Sequence, residues 1–249
     1  MRRVKYRAVV EPGRLRRFRR TMKRWYQDHG RDLPWRRTRD PYAVLVSEIL
    51  LHQTTVATVA PVYEAFLTQF PTVEALAAAD LADVKRLTDP LGYKVRGQWL
   101  FNLAGVIMAE HGGVVPDSLD ALMCLPGVGR YTAGAVLSFA YDRPAGVLDT
   151  NVTRVLARFF RVAPDGRADR QHQLWALAEA VVPRRGAWSF NQGLMDFGAL
   201  CCRAKHPQCT ACPLARHCPT RGEEGRRAAE GAPEGVWFWE SPDFRRRAR

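Results

Sequence analysis

The chain has 249 residues, 47% of them hydrophobic, enough for one large or two modest domains with real cores. No apolar run approaches a membrane span and the N-terminus carries no apolar signal segment, so neither a membrane protein nor a secreted one is expected. The formal charge of +13 and a pI near 10.0 favour a polyanionic partner, and the excess is local: residues 1–39 hold fifteen Lys and Arg against three acids, while the remainder is nearly balanced.

In chain order, residues 1–13 read as a basic, irregular and mobile N-terminus. Arg14 to His29 predicts a helix whose Leu15, Phe18, Met22, Trp25 and Tyr26 form one apolar stripe, with its arginines facing solvent or a polyanion. Gly30 ends it, and Asp32-Leu33-Pro34-Trp35 leads out as an extended turn. Asp40-Pro41 then opens the helix PYAVLVSEILLHQTT, apolar nearly all round and so expected to be buried. Glu48 sits inside it, and a lone carboxylate there is costly unless paired or functional. Val56 to Phe70 is a further helix stopped by Pro71, followed by short capped helices at 72–76 and 80–83. Leu91 to Arg96 is a glycine turn into the helix Gly97–His111.

The stretch from Leu122 to Asn151 organises the rest. Asp117-Ser118 cap the turns Leu119–Cys124, and Leu125-Pro126-Gly127-Val128-Gly129 is a hairpin into a second helix from Thr132 onward. Pro126 cannot continue a helix, and the two glycines permit positive φ and close backbone approach. Outward amides at the start of a helix suit a phosphate oxygen. Twenty residues past Gly129, Asp149 lies in the junction Val147-Leu148-Asp149-Thr150-Asn151, and helices follow at Val152–Phe160 and Leu174–Val182.

Four of the six cysteines have a regular spacing, Cys202-x6-Cys209-x2-Cys212-x5-Cys218, with prolines at 207, 213 and 219 stiffening the loops. Without a secretory context a disulfide framework is disfavoured, and four thiolates so close in sequence imply a metal centre, either zinc or an iron–sulfur cluster. Cys201 adjoins the first ligand, and Cys124 is expected in the core. Closing this loop presents Arg203, Lys205, Arg216 and His217 to phosphate. The tail from Arg221 reads as loose, with Trp237, Phe238, Trp239 and Arg245–Arg247 docking on the body or touching a nucleic acid.

LPGVGRYTAGAVLSFA followed by LDTNVTRVLARFF closely resembles the helix–hairpin–helix DNA glycosylases of the endonuclease III type, in particular their adenine and thymine mismatch branches. The resemblance runs from about Leu33 to Cys218. It implies an all-α fold in two parts: a six-helix barrel over 40–143, and 14–39 with 144–220 as the iron–sulfur domain, with DNA and base pocket between them and 221–249 as a tail. E-I-L-L-x-Q-T matches the catalytic-glutamate helix, making Glu48 the residue that protonates a leaving base or positions water, and Gln53 the one that enters the DNA stack. His52 stands where adenine glycosylases carry another glutamine, and Lys94 where they carry a wedging tyrosine; a lysine there can meet phosphate. Gly127, Val128, Gly129 and Arg130 would hold the DNA backbone, and Gln192 is a further contact shared with the adenine branch. Asn191 to Gly198 resembles the family's N-x-x-L-M-D-[FL]-G helix, which leads into the metal module. The cysteine pattern matches the family's [4Fe–4S] loop, with Cys202, Cys209, Cys212 and Cys218 as ligands and a structural role.

The chemistry implied is hydrolysis of an N-glycosidic bond. Asp149, ionised, stabilises the oxocarbenium-like sugar or the attacking nucleophile, Glu48 acts with a raised pKa, and Tyr131 and Asn151 orient the pair. In lyase-type relatives a lysine at the position of Tyr131 attacks the sugar; tyrosine cannot form that Schiff base, so hydrolysis without strand cleavage is expected. The partner implied is double-stranded DNA with a mispaired or damaged base, turned out of the stack, with the protein acting as a monomer associated with the nucleoid in the cytoplasm. Resemblance to the thymine branch in LPWRxTRDPY and FNxGLMDF, and only about thirty residues after Cys218 for an opposite-base checking domain, favour T or U opposite G over adenine opposite G or 8-oxoguanine. A non-catalytic DNA-binding protein is the alternative from another class, disfavoured because both carboxylates are present.

Overall fold

The computed structural model describes residues 6–162, 167–221 and 236–240. They fall into two compact units, one from Asp32 to Arg143 and the other made of the chain up to Arg31 together with Pro144 onward. Eleven α-helices dominate the described residues, and none is long and apolar enough to cross a membrane.

In the unit Asp32–Arg143 the helices are α2 (Pro41–Leu50), α3 (Val56–Gln69), α4 (Val73–Ala77), α5 (Leu81–Thr88), α6 (Val95–His111), α7 (Leu119–Cys124) and α8 (Arg130–Phe139). Helix starts follow their caps: Asp40 accepts from the amides of Tyr42 and Ala43, Thr72 from Ala75 and Ser118 from Ala121. Tyr42 through Leu50 are all buried, so α2 is the unit's central rod, packed against α8 and α6. The domain boundary lies at Arg31/Asp32 rather than at 39/40. Trp35 is buried edge-on to Tyr63, with ring centroids 5.6 Å apart, and the Arg39 guanidinium donates to the Phe139 carbonyl at 2.9 Å, so residues 32–39 pack with this unit.

The other unit holds α1 (Pro12–His29), α9 (Thr150–Phe160), α10 (Arg167–Val181) and α11 (Ala187–Leu200). Phe18, Met22 and Trp25 of α1 enter a core with Phe159, Phe160, Phe190 and Phe197. Gly198 permits the approach of α11 to α9, because a Cβ there would come within 2.7 Å of the Asn151 Cβ. Two α1 arginines do not face solvent as expected. Arg14 donates to the Phe159 carbonyl and stacks on the Phe159 ring, and Arg19 donates to the carbonyls of Ala180, Val181 and Val182, so the pair caps the C-terminal ends of α9 and α10.

The N-terminus and tail correct a second expectation. Tyr6–Val10 forms β1 and Val236–Glu240 forms β2, an antiparallel pair with Val10 opposite Val236 and Ala8 opposite Phe238. Both segments are rich in β-branched and aromatic residues, and Ala8 and Val10 are buried in the core that α10 shares, which is why neither segment stays loose. The all-α description therefore holds for the body, with this ribbon added. The expectations for residues 1–5, for the tail over 222–235 and for Arg245–Arg247 lie outside the described residues.

Candidate functional site

The hairpin between α7 and α8 is built from both apolar anchoring and glycine geometry. Leu125 and Val128 are buried, and the Val128 amide closes the turn on the Leu125 carbonyl at 3.1 Å. The Val128 side chain is thus part of the hairpin's own core. Gly127 has φ +77° and lies so close to Trp99 that a Cβ would sit 2.7 Å from the indole. Gly129 differs: its φ is −90°, and a Cβ would meet nothing within 4 Å. Neither positive φ nor packing within the protein explains that glycine, whereas close approach of an outside group does. Among the described residues the amides of Gly127 and Gly129 have no hydrogen-bond acceptor, and Gly129 caps α8 with no side chain. Cys124, expected in the core, is exposed at the end of α7.

The same unit carries Glu48, Tyr131 and the turn after α2. Glu48 lies in the last turn of α2 at 3% exposure. Tyr131 is half-buried in the first turn of α8. Sequence periodicity carries α2 to Thr55, but the helix stops at Leu50. Gln53 then adopts φ +54° with its side chain exposed, and His52 is half-buried with Nε2 3.3 Å from the Thr132 hydroxyl. Burial and the nearby Arg96 lower the His52 pKa, so its imidazole is disposed to be neutral. Tyr93 and Lys94 are both exposed at the start of α6, and Trp99 lies edge-on to Tyr93 at 5.5 Å and to His52 at 5.9 Å.

Asp149 belongs to the other unit, as the N-cap of α9. Its carboxylate accepts from the Val152 amide at 2.6 Å and from the Asn151 side chain at 3.1 Å. Burial pushes its pKa up, against those two hydrogen bonds and the charge of Arg154, which pull it down. Burial thus opposes the charge on Asp149, the group expected to be ionised. Asn151 is held in turn, its Oδ1 accepting from Arg154 at 2.8 Å. Arg154 continues to the carbonyls of Gly198 and Cys202, both at 2.7 Å. Gln192, expected as a DNA contact, is buried at 3% exposure in α11. Asp196 of the same helix is fully buried and receives the Arg31 backbone amide and guanidinium at 2.6–2.9 Å, pinning the exit of α1.

Cys202, Cys209, Cys212 and Cys218 line one pocket of about 570 Å³ together with Cys201, Arg158 and the loop 204–210. Among the described residues no three His, Cys, Asp or Glu groups converge on a point suited to one metal ion. Arg158 approaches the Cys202 sulfur at 3.5 Å and donates to the carbonyls of Arg203 and Ala204, so α9 braces the loop. Buried Cys201 hydrogen-bonds Cys212, which raises the Cys201 pKa and lowers that of Cys212. The donor set of four thiolates around a pocket, with a cation beside one sulfur, suits an anionic iron–sulfur cluster. Arg203, Lys205, Arg216 and His217 are all exposed on this loop.

The outer face of α1 carries the basic surface expected of that helix, apart from Arg14 and Arg19. Arg16, Arg20, Lys23 and Arg24 are exposed at helical spacing, and among the described residues none of their side chains makes a hydrogen bond or an ion pair. Like charges at i and i+4 repel, so this face suits an external polyanion. The signal was in the sequence: these positions are those left after the apolar stripe is removed.

Comparison with known proteins agrees with this geometry. Residues 46–180 match the model of the HhH-GPD superfamily base excision DNA repair proteins. The chain is 41% identical over 230 residues to an adenine DNA glycosylase of Rattus norvegicus, covering 87% of this chain and 45% of that protein. It is 40% identical over 205 residues to a thymine/uracil-DNA glycosylase of Pyrobaculum aerophilum, covering 80% of this chain and 89% of that protein. The chain thus spans about half the length of the adenine relatives it matches. Among solved structures, a thermostable thymine-DNA glycosylase superposes with a TM-score of 0.77 at 32% identity, covering 85% of this chain and 98% of that one, and endonuclease III trapped covalently on DNA gives 0.72 at 28%, covering 86% and 98%. The chain belongs to the HhH-GPD superfamily of base excision DNA repair proteins.

Proposed function

We propose that the chain is a monofunctional DNA glycosylase that extrudes a mispaired base and hydrolyses its N-glycosidic bond, acting on T or U opposite G. The observation that carries this reading is Asp149, partly withdrawn from water and aimed by the Val152 amide and Asn151 at the N-terminus of α9. A carboxylate so held stabilises positive charge developing on a sugar without being free to rotate away from it. In this scheme the bond from the sugar C1′ to the base nitrogen breaks with its electron pair leaving on the base. Glu48 protonates the base or takes the proton of the attacking water, and Asp149 faces the cation. Tyrosine at 131 supplies no amine, so the sugar is left as an abasic site with the strand intact.

The acceptor-free amides of Gly127 and Gly129 hold one phosphate beside the extruded base, and the α1 face with Arg203, Lys205 and Arg216 adds sequence-independent attraction. Cys202, Cys209, Cys212 and Cys218 would ligate a [4Fe–4S] cluster that sets the shape of its loop, and the protein acts as a monomer. The thymine or uracil preference is supported by Lys94 in place of a second tyrosine and by the match to nearly the full length of the thermostable thymine-DNA glycosylase structure. Adenine opposite G or 8-oxoguanine is the second reading, favoured by the adenine-glycosylase relatives. Duplexes carrying T·G, U·G, A·G and A·8-oxoG test both: alkali-dependent cutting at T·G or U·G supports the first, cutting at adenine alone the second, and tight binding without release at any of them leaves a non-catalytic binder.

A further inference from the structure

Arg96, in the first turn of α6, takes no part in that scheme, yet among the described residues it is the largest side chain that is wholly buried. Its guanidinium meets uncharged oxygens. Nη1 donates to the Leu50 carbonyl, and Nε to the Tyr93 carbonyl at 3.3 Å. Nη2 donates to the His52 carbonyl and to the Thr54 hydroxyl, both at 2.8 Å. No carboxylate pairs with Arg96 among the described residues, and burial pushes its pKa down. A cation withdrawn from water without a counter-charge is costly, so its retention calls for a task that only fixed donors can perform.

The task is visible in what it grips. Leu-His-Gln-Thr contains no helix breaker, and the sequence pattern carries α2 through it to Thr55. In a continued helix the Leu50 carbonyl would accept from the Thr54 amide; here Arg96 occupies that carbonyl, and the Thr54 amide turns back to Leu51 at 3.2 Å. Two more of its bonds fall on His52 and Thr54, the residues on either side of Gln53, which stands between them in the left-handed region at φ +54°. A residue with a Cβ does not hold that conformation unless its surroundings impose it. The fourth bond reaches the Tyr93 carbonyl, and the Thr54 hydroxyl is also 3.3 Å from the Leu91 carbonyl, so the turn 51–54 and the turn 91–94 close on one guanidinium. Those two turns expose Gln53 and the pair Tyr93 and Lys94.

We infer that Arg96 is a positioning residue for base extrusion: it stops α2, fixes Gln53 in its left-handed turn, and joins that turn to the Tyr93–Lys94 turn so that both enter the duplex as one rigid element. The inference rests on the glycosylase reading for the role of Gln53. A planar fork reaches four oxygens that the single ammonium of lysine cannot, so Arg96→Lys should not rescue.

The test uses the full chain with Arg96→Lys, Gln53→Ala, their double variant and Thr54→Val. Three quantities are read: affinity for undamaged duplex, the fluorescence rise of 2-aminopurine beside a mismatch as a measure of unstacking, and single-turnover base release. Arg96→Lys should bind undamaged duplex within about twofold of the parent while unstacking and release fall about tenfold or more. The double variant should be no worse than the more impaired single one, because both remove the same act. Multiplicative losses, or an Arg96→Lys variant that unstacks normally, overturn the inference. If Arg96→Lys does not fold, Thr54→Val carries the test by removing one anchor and leaving the charge, with a smaller loss of unstacking expected and an unchanged rise contradicting the proposal. Should the parent unstack the duplex but release no base, the glycosylase reading fails while the positioning of Gln53 is still measured.

Discussion

The hairpin at 125–129 joins α7 to α8 and the cysteine loop at 202–218 follows α11, and the two are held by opposite means. The hairpin carries its own anchors, with Leu125 and Val128 buried, Gly127 wedged against Trp99, and the turn closed by its own backbone. The cysteine loop is braced from outside: Arg154 and Arg158 of α9 donate to the carbonyls of Cys202, Arg203 and Ala204, and its cysteines face a pocket of about 570 Å³. A loop with apolar anchors keeps its shape alone, whereas one whose polar backbone and thiols face a pocket depends on what fills it. The two loops should therefore fail under different insults.

The largest effect is expected from the filling. If the four cysteines hold the proposed iron–sulfur cluster, Cys212→Ser or removal of iron should abolish visible absorption from the preparation and weaken duplex binding by about tenfold or more, while the unit Asp32–Arg143 keeps its helical signal. Gly127→Ala strikes the other loop through strained backbone and a clash with Trp99; a loss of about 1–3 kcal/mol in stability, read by denaturant melting, is expected with iron content unchanged. If Gly127→Ala also releases iron, or iron removal also melts the hairpin unit, the loops are not independent. Neutralising Arg16, Arg20 and Arg24 with glutamine is the mildest intervention. It should flatten the plot of log affinity against log salt by about 0.9 for each phosphate that is no longer neutralised, with single-turnover base release unchanged.

Much of this arrangement was legible in the sequence because it depends on local chemistry. The caps Asp40, Thr72 and Ser118, the stripe Phe18–Met22–Trp25 and the cysteine spacing each follow from neighbours within a few residues. What escaped depends on partners far along the chain. The end of α2 at Leu50 is set by an arginine 46 positions away, the strand Tyr6–Val10 by the tail at 236–240, and the capping by Arg14 and Arg19 by helix ends more than a hundred residues on. Gln192 shows the same limit at the site, since a motif names the residue but not its burial. The raised pKa of Asp149 is likewise a burial effect that no spacing reveals.

That pKa implies a pH dependence with a definite sign. If ionised Asp149 stabilises the sugar cation, release must fall as pH drops through the aspartate's pKa, and burial places that midpoint above the ordinary value of 3.8. An acid limb at or below 3.8 would mean that another group is being titrated.

The role of Asp149 is tested most plainly by single-turnover base release from a T·G or U·G duplex, comparing the parent chain with Asp149→Asn and reading strands before and after alkali. Alkali-dependent cutting by the parent is expected, with a loss of about a thousandfold or more in Asp149→Asn and duplex binding retained. Equal release by the two proteins, or cutting of the strand before alkali, would contradict a monofunctional glycosylase built on that carboxylate.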